Sequence, residues 1–238
     1  MRYILFLLFS ANLINVSAQI NLLKEATKKA NKLIKSEKPL TTSEVSDGLI
    51  EALIQGSKRS VQLASAKDGF NNNHLIRIPF PEDAKNMKST LIKLGMSDQI
   101  KNFELSINSA AELASKEALD ILKSVIKSMS IDDAFAILNG NNNAATQYLE
   151  KQTSSDLHAE FKPIIKIAIA EVEVTKYWNT LARRYNSLPL TKKINTDLDE
   201  YVTTRAIQGL FFLIAQEEKN IRTNPQARVS VLLQKVFN

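Results

Sequence analysis

The chain contains no cysteine, which excludes disulfide frameworks, thiol nucleophiles, dithiol redox chemistry and Cys-bearing zinc sites. The same absence removes the attachment point of a bacterial lipoprotein anchor. Glycine and proline number six each, too few for an all-β protein that needs a turn about every 10 residues. No apolar run reaches the ~20 residues of a bilayer-spanning helix. The sequence also holds no Gly-x-Ser-x-Gly elbow, no His-x-x-x-His or His-Glu-x-x-His spacing and no phosphate-cradling glycine loop, since Gly48 and Gly56 are isolated. No catalytic, cofactor-binding or metal-ligating residue is therefore assigned, and no cofactor is expected.

Charge of one sign is not concentrated either. Thirty-one Lys and Arg against 25 Asp and Glu give a net charge of +6, with the positives scattered among acids. Nucleic-acid binders gather basic residues on one face and interleave aromatics, and this chain has only 7% aromatics. No nucleic-acid partner is expected.

What is present begins with an address. Met1-Arg2-Tyr3 carries one positive charge, residues 4–9 are unbroken apolar, and Val16-Ser17-Ala18 offers the small residues that a signal peptidase groove accepts. Residues 1–18 read as a cleaved signal peptide, with the mature chain starting at Gln19, exported and without a transmembrane segment. A Lys-rich leader helix over 19–39 follows, and its charge pattern fits a solvated helix face. The periplasm is the expected compartment.

Beyond residue 40, apolar residues recur at three- and four-residue steps and sustained alternation is hard to find. The pattern predicts an all-α, bundle-like single domain over 40–238 with one short extended segment near 75–81, where Pro79 and Pro81 exclude helix. Thr41 and Glu44 form a capping box opening a helix to about Ala66. A helix over 82–94 ends at Gly95. One helix of over thirty residues is predicted from Ser97 to Met129, with a kink near 106–109. Ser130 and Asp133 cap a short helix ending at Gly140. Further helices are expected over 144–151, with Asn143 as N-cap, over 157–174, with Pro163 near its first turn, and over 177–185. Thr196 and Asp199 cap a long helix to Thr223, and a short one covers 226–237.

Three stretches taken in order carry a resemblance. They are Asp68-Gly69-Phe70-Asn71-Asn72 leading to Ile78-Pro79-Phe80-Pro81; Ala144-Ala145-Thr146-Gln147-Tyr148 after Gly140; and Asp199-Glu200-Tyr201-Val202 through Gly209-Leu210-Phe211 to Glu217-Glu218-Lys219-Asn220-Ile221-Arg222. Their order and spacing resemble an exported bacterial family, domain of unknown function 4197, from about residue 42 to 237. The resemblance implies a bacterial, envelope-targeted helical protein and carries no activity with it.

The candidate site lies on the helix after residue 196. Residues 206–215 are apolar almost all round, the mark of a helix buried on most sides, with Gly209 placed where another helix crosses. Tyr201, Arg205 and Gln208 share one stripe that becomes Phe212 a turn later, so the stripe could face a cavity for a ligand with an acidic head and an apolar body. Glu217 and Glu218 are adjacent and point about 100° apart, which argues against a paired-carboxylate glycosidase. Glu218 and Arg222 form an i,i+4 pair in the favourable order, worth only ~0.3–0.5 kcal/mol if exposed. The twelve residues 139–150 imitate an EF-hand loop, but Asn139 and Ala144 stand where Asp and Gly are required. The functional expectation is a non-enzymatic, soluble envelope protein that binds a small apolar or acidic ligand or an envelope protein partner. The alternatives are a hydrolase or lyase with a carboxylate/Arg/Tyr site, and a peripheral membrane or apolar-ligand carrier protein.

Overall fold

A computed structural model describes residues 40–194, 196–228 and 230–237. The predicted signal segment and leader helix lie outside the described residues. Nine α-helices, two 3-10 turns and no strand are found among the described residues. They are α1 (Thr42–Ser65), α2 (Lys85–Lys93), α3 (Ser97–Ser115), α4 (Ala118–Lys127), α5 (Ile131–Leu138), α6 (Ala144–Glu171), α7 (Val174–Asn186), α8 (Leu198–Thr223) and α9 (Val231–Val236). The 3-10 turns are Glu82–Ala84 and Pro225–Ala227.

Local chemistry sets several boundaries. Glu44 N–H donates to the Thr41 hydroxyl at 3.2 Å while the Thr41 N–H donates to the Glu44 carboxylate at 2.7 Å, closing the predicted capping box. Ser130 and Asp133 do the same for α5. After α2, Gly95 adopts φ +78°, its N–H reaches the Ile92 carbonyl and the Met96 N–H reaches that of Leu91. That pair of bonds is a Schellman stop, which needs a residue free to take a left-handed conformation.

The core centres on α3, which packs against α1, α6, α7 and α8. Its Ala110, Ala111 and Ala114 are fully buried, and their small side chains let the neighbouring backbones come close. Phe80, Phe103 and Trp178 stack with ring centroids 5.1–5.7 Å apart and tie α3 to α7.

Four sequence expectations need correction. The helix from Ser97 does not run to Met129 and does not kink at 106–109; it breaks at Lys116–Glu117, giving α3 and α4. Ser115 Oγ bonds back to the Ala111 carbonyl at 2.7 Å and the Glu117 N–H reaches only to Ala114, a combination that turns the chain without proline or glycine. Conversely, 144–151 and 157–174 are one helix. Residues 152–156 are polar, yet Thr153 is buried and its hydroxyl bonds the Leu149 carbonyl. Pro163 therefore sits in mid-helix, on an exposed turn where the carbonyl of Ala159 is left to water. The N-cap of α8 is Asp197, which accepts from the Glu200 N–H at 3.0 Å, while Thr196 bonds Asp83 instead. The last helix is shorter than predicted, since 226–227 belong to a 3-10 turn.

Gly209 is buried, but no helix crosses it. A Cβ built there would stand 2.8 Å from Phe70 Cε1 and 3.2 Å from Ile76 Cβ, both from the non-helical connection between α1 and α2. The Phe70 ring is fully buried and cannot swing aside. Gly209→Ala is therefore expected to destabilise despite the better helix propensity of alanine, and Gly209→Leu to cost ~1–3 kcal/mol or more. Urea midpoints test this: a stabilised Gly209→Ala variant would refute the close approach.

Candidate functional site

The connection over 68–81, here called the strap, forms the site together with α8. The strap is non-helical but far from loose. Phe70, Ile76, Ile78 and Phe80 are buried. Glu104, Asn108 and Glu112 recur every fourth residue on α3 and hold it along its length. Glu112 accepts from the backbone N–H groups of Asp68 and Phe70 at 3.1 Å and of Asn71 at 3.4 Å. Asn108 Oδ1 accepts from the Ile78 N–H at 2.8 Å while its Nδ2 donates to the Ile78 carbonyl at 2.9 Å, so one side chain satisfies both halves of a backbone residue. Glu104 receives Lys88 at 2.5 Å and Arg77 at 3.3 Å.

Between strap and α8 lies a cleft of about 200 Å³, lined by Leu75, Arg77, Arg205, Gln208, Gly209 and Phe212 among others. Of the residues proposed from sequence, Arg205 and Gln208 line the cleft. Tyr201 does not: its hydroxyl donates to the Pro79 carbonyl at 2.8 Å and so fixes one end of the strap. Burial pushes the Tyr201 phenol above its usual value, and the neighbouring Arg205 opposes the shift. The Arg205 guanidinium lies 5.8 Å from the Tyr201 ring centroid and its Nη1 reaches Gln208 Oε1 only at 3.4 Å, a weak bond that leaves most of its donors free. Arg77 and Leu75 were missed. The alternation of Leu75-Ile76-Arg77-Ile78 was the available signal, since buried Ile76 and Ile78 turn the residues between them outward.

Three other polar clusters link elements. Glu218 accepts from the Ala145 N–H at 2.9 Å and the Thr146 N–H at 2.8 Å, capping α6 from α8. Asn143, the expected cap, makes no such side-chain bond. Arg222 donates to Glu218 at 3.0 Å and to the Ile137 and Leu138 carbonyls at 2.8 and 3.2 Å, closing the C-terminal end of α5. The pair is buried, so the small worth of an exposed pair does not apply to it. Glu217 points elsewhere, to Arg59 at 3.0 Å, as the 100° divergence requires. Finally, Glu200 lies 2.7 Å from Lys162 and 2.8 Å from His158 Nε2, and these two partners hold its carboxyl down to about 2. Among the described residues no group of three or more His, Asp and Glu could hold a metal ion, and no helix is long and apolar enough to cross a membrane.

Such an arrangement defines an all-α protein with a cationic surface cleft walled by a pinned, non-helical strap. The chain belongs to the family described as protein of unknown function (DUF4197), which matches residues 39–238. No curated protein and no solved structure matches it.

Burial raises the Glu112 carboxyl above its usual value, with the three amides opposing. A carboxyl that binds its proton more tightly in the folded state loses stability as pH rises through the window above its ordinary value. Glu112→Gln removes this dependence. The stability advantage of wild type over Glu112→Gln is expected to shrink as pH rises above the ordinary carboxylate value in urea titrations. An advantage that grows over that range would mean that the amides outweigh the burial.

Proposed function

We propose that this protein is an exported, non-catalytic binding protein whose ligand is a small amphiphilic anion held in the cleft between strap and α8. One observation carries the reading: two guanidinium groups, Arg205 and the Glu104-paired Arg77, line the same cleft as the exposed Leu75 and the half-buried Phe212. An acidic head would take the free donors of Arg205 and the amide of Gln208, while an apolar body would lie on Leu75 and Phe212. The cleft is small by the standard of ligand pockets, so a short chain fits better than a long one. Export rests on Arg2, the apolar run over 4–9 and Val16-Ser17-Ala18. In a two-membrane bacterium the compartment is the periplasm.

Calorimetric titration with octanoate is the direct test. Wild type is expected to bind octanoate and not octylamine, and Arg205→Ala or Gln208→Ala to weaken binding about tenfold. Both variants change exposed residues, so their helical circular dichroism should match wild type. Absence of binding, or equal binding of octylamine, overturns the reading. Export is checked separately. N-terminal sequencing of protein from its own host should begin at Gln19 in the soluble fraction outside the cytoplasm; Met1 retained in cytosolic protein would disprove it.

A further inference from the structure

A second, larger cleft is built from other residues. It encloses about 450 Å³ between α1 and the C-terminal part of α8, with the 3-10 turn after α8 and α9 contributing to its wall. Gln55, Lys58, Arg59 and Gln62 recur at three- and four-residue steps along one face of α1. Glu217 and Asn220 on α8, with Asn224 just past its end, repeat the pattern. Two polar stripes thus flank a floor of Gly56, Ile221, Ala227 and Leu233. Gly56 keeps that floor low: a Cβ there would meet Glu217 Cβ at 3.8 Å and Ile221 Cδ1 at 3.9 Å, in ordinary contact.

The chemistry of the walls is unusual in its share of carboxamides. Asn224 Nδ2 bonds Asn220 Oδ1 at 3.2 Å, and Asn224 Oδ1 accepts from the Gln226 N–H at 3.1 Å. The side-chain amides of Gln55, Gln62 and Gln226 bond no other described residue. A carboxamide presents a donor and an acceptor together, the complement of a peptide unit. Lys58 pairs with no described carboxylate, and Arg59 gives only its Nε to Glu217, so the walls also carry unspent positive charge. No aromatic ring lines the groove on which a sugar face could stack. From Gln55 to Gln62 helix α1 rises ~10 Å, the reach of about three residues of extended chain.

We propose that this groove binds an extended, acidic peptide segment, with its backbone amides paired to Gln55, Gln62 and Gln226. Its carboxylate lies between Lys58 and Arg59, and an aliphatic side chain rests on the floor at Gly56. The site is independent of the strap cleft. Calorimetry with an acetylated hexapeptide alternating leucine and aspartate tests it, alongside the same peptide with lysine for aspartate and a trigalacturonate. The aspartate peptide should bind saturably, and Lys58→Glu and Gln62→Ala should each weaken it about tenfold. Gly56→Leu should abolish binding by filling the floor, and Arg205→Ala should leave it unchanged. Circular dichroism keeps a loss of fold distinct from a loss of binding, and the exposed Lys58 and Gln62 carry the test if Gly56→Leu fails to fold. No saturable binding, equal binding of the lysine peptide, binding of the galacturonate alone, or a loss that follows Arg205→Ala would each overturn the proposal.

Discussion

The carboxylate of Glu218 is placed where two helices end, and the arrangement of the bundle depends on it. An α-helix leaves orphan N–H groups and a partial positive charge at its start, and orphan carbonyls with a partial negative charge at its finish. Glu218 meets the start of α6 and Arg222 the finish of α5, while the two side chains neutralise each other. Both come from one turn of α8, so two helix termini are registered on a third helix by two side chains. Removing one partner of such a buried pair leaves an uncompensated charge and costs ~3–5 kcal/mol. With the C-terminal half of α8 fixed in this way, the turns from Tyr201 to Phe212 are held against the strap.

The strap is the second consequence of buried polar groups used as connectors. One stripe of α3 is alanine-rich and meets other helices; another holds the strap, Asn108 and Glu112 through its backbone and Glu104 through the Arg77 side chain. A loop crossing a core leaves its own amides unpaired, and burying them without partners would be costly. Here α3 supplies those partners from side chains. The bonds let a non-helical segment place Phe70 over Gly209 and bring Arg77 into the cleft that Arg205 lines.

These two devices also mark where the sequence was legible and where it was not. Features written within a few residues were readable: the capping boxes at Thr41 and Ser130, the stop at Gly95, and the 3.6-residue periodicity that marks the chain as all-α. Features that depend on distant partners were not. Asn143 does hold the N-cap position, as Asn favours, but its side chain makes no cap bond; the carboxylate that meets the first amides of α6 comes from Glu218, 72 residues beyond Thr146. Pro163 looked like a boundary, since nothing local shows that the proline ring faces solvent. The break at Lys116 carries no glycine or proline, and α4 leaves the line of α3 to pack on α1 and α6. Half of the cleft was missed because Arg77 belongs to a segment whose orientation is set by Asn108, thirty residues on.

A surface connection ordinarily opens many times for each global unfolding of its protein, and its amides exchange with solvent accordingly. The strap is built differently. The N–H groups of Phe70 and Ile78 end on buried side chains of α3, and its apolar residues belong to the main core cluster. Releasing it would expose Phe70, Ile76, Ile78 and Phe80 together, so its opening is tied to that of the whole bundle rather than to a local fluctuation. The wall of the cleft is in this sense as rigid as a helix, and a molecule entering there meets a surface already ordered, with little conformational entropy left to lose.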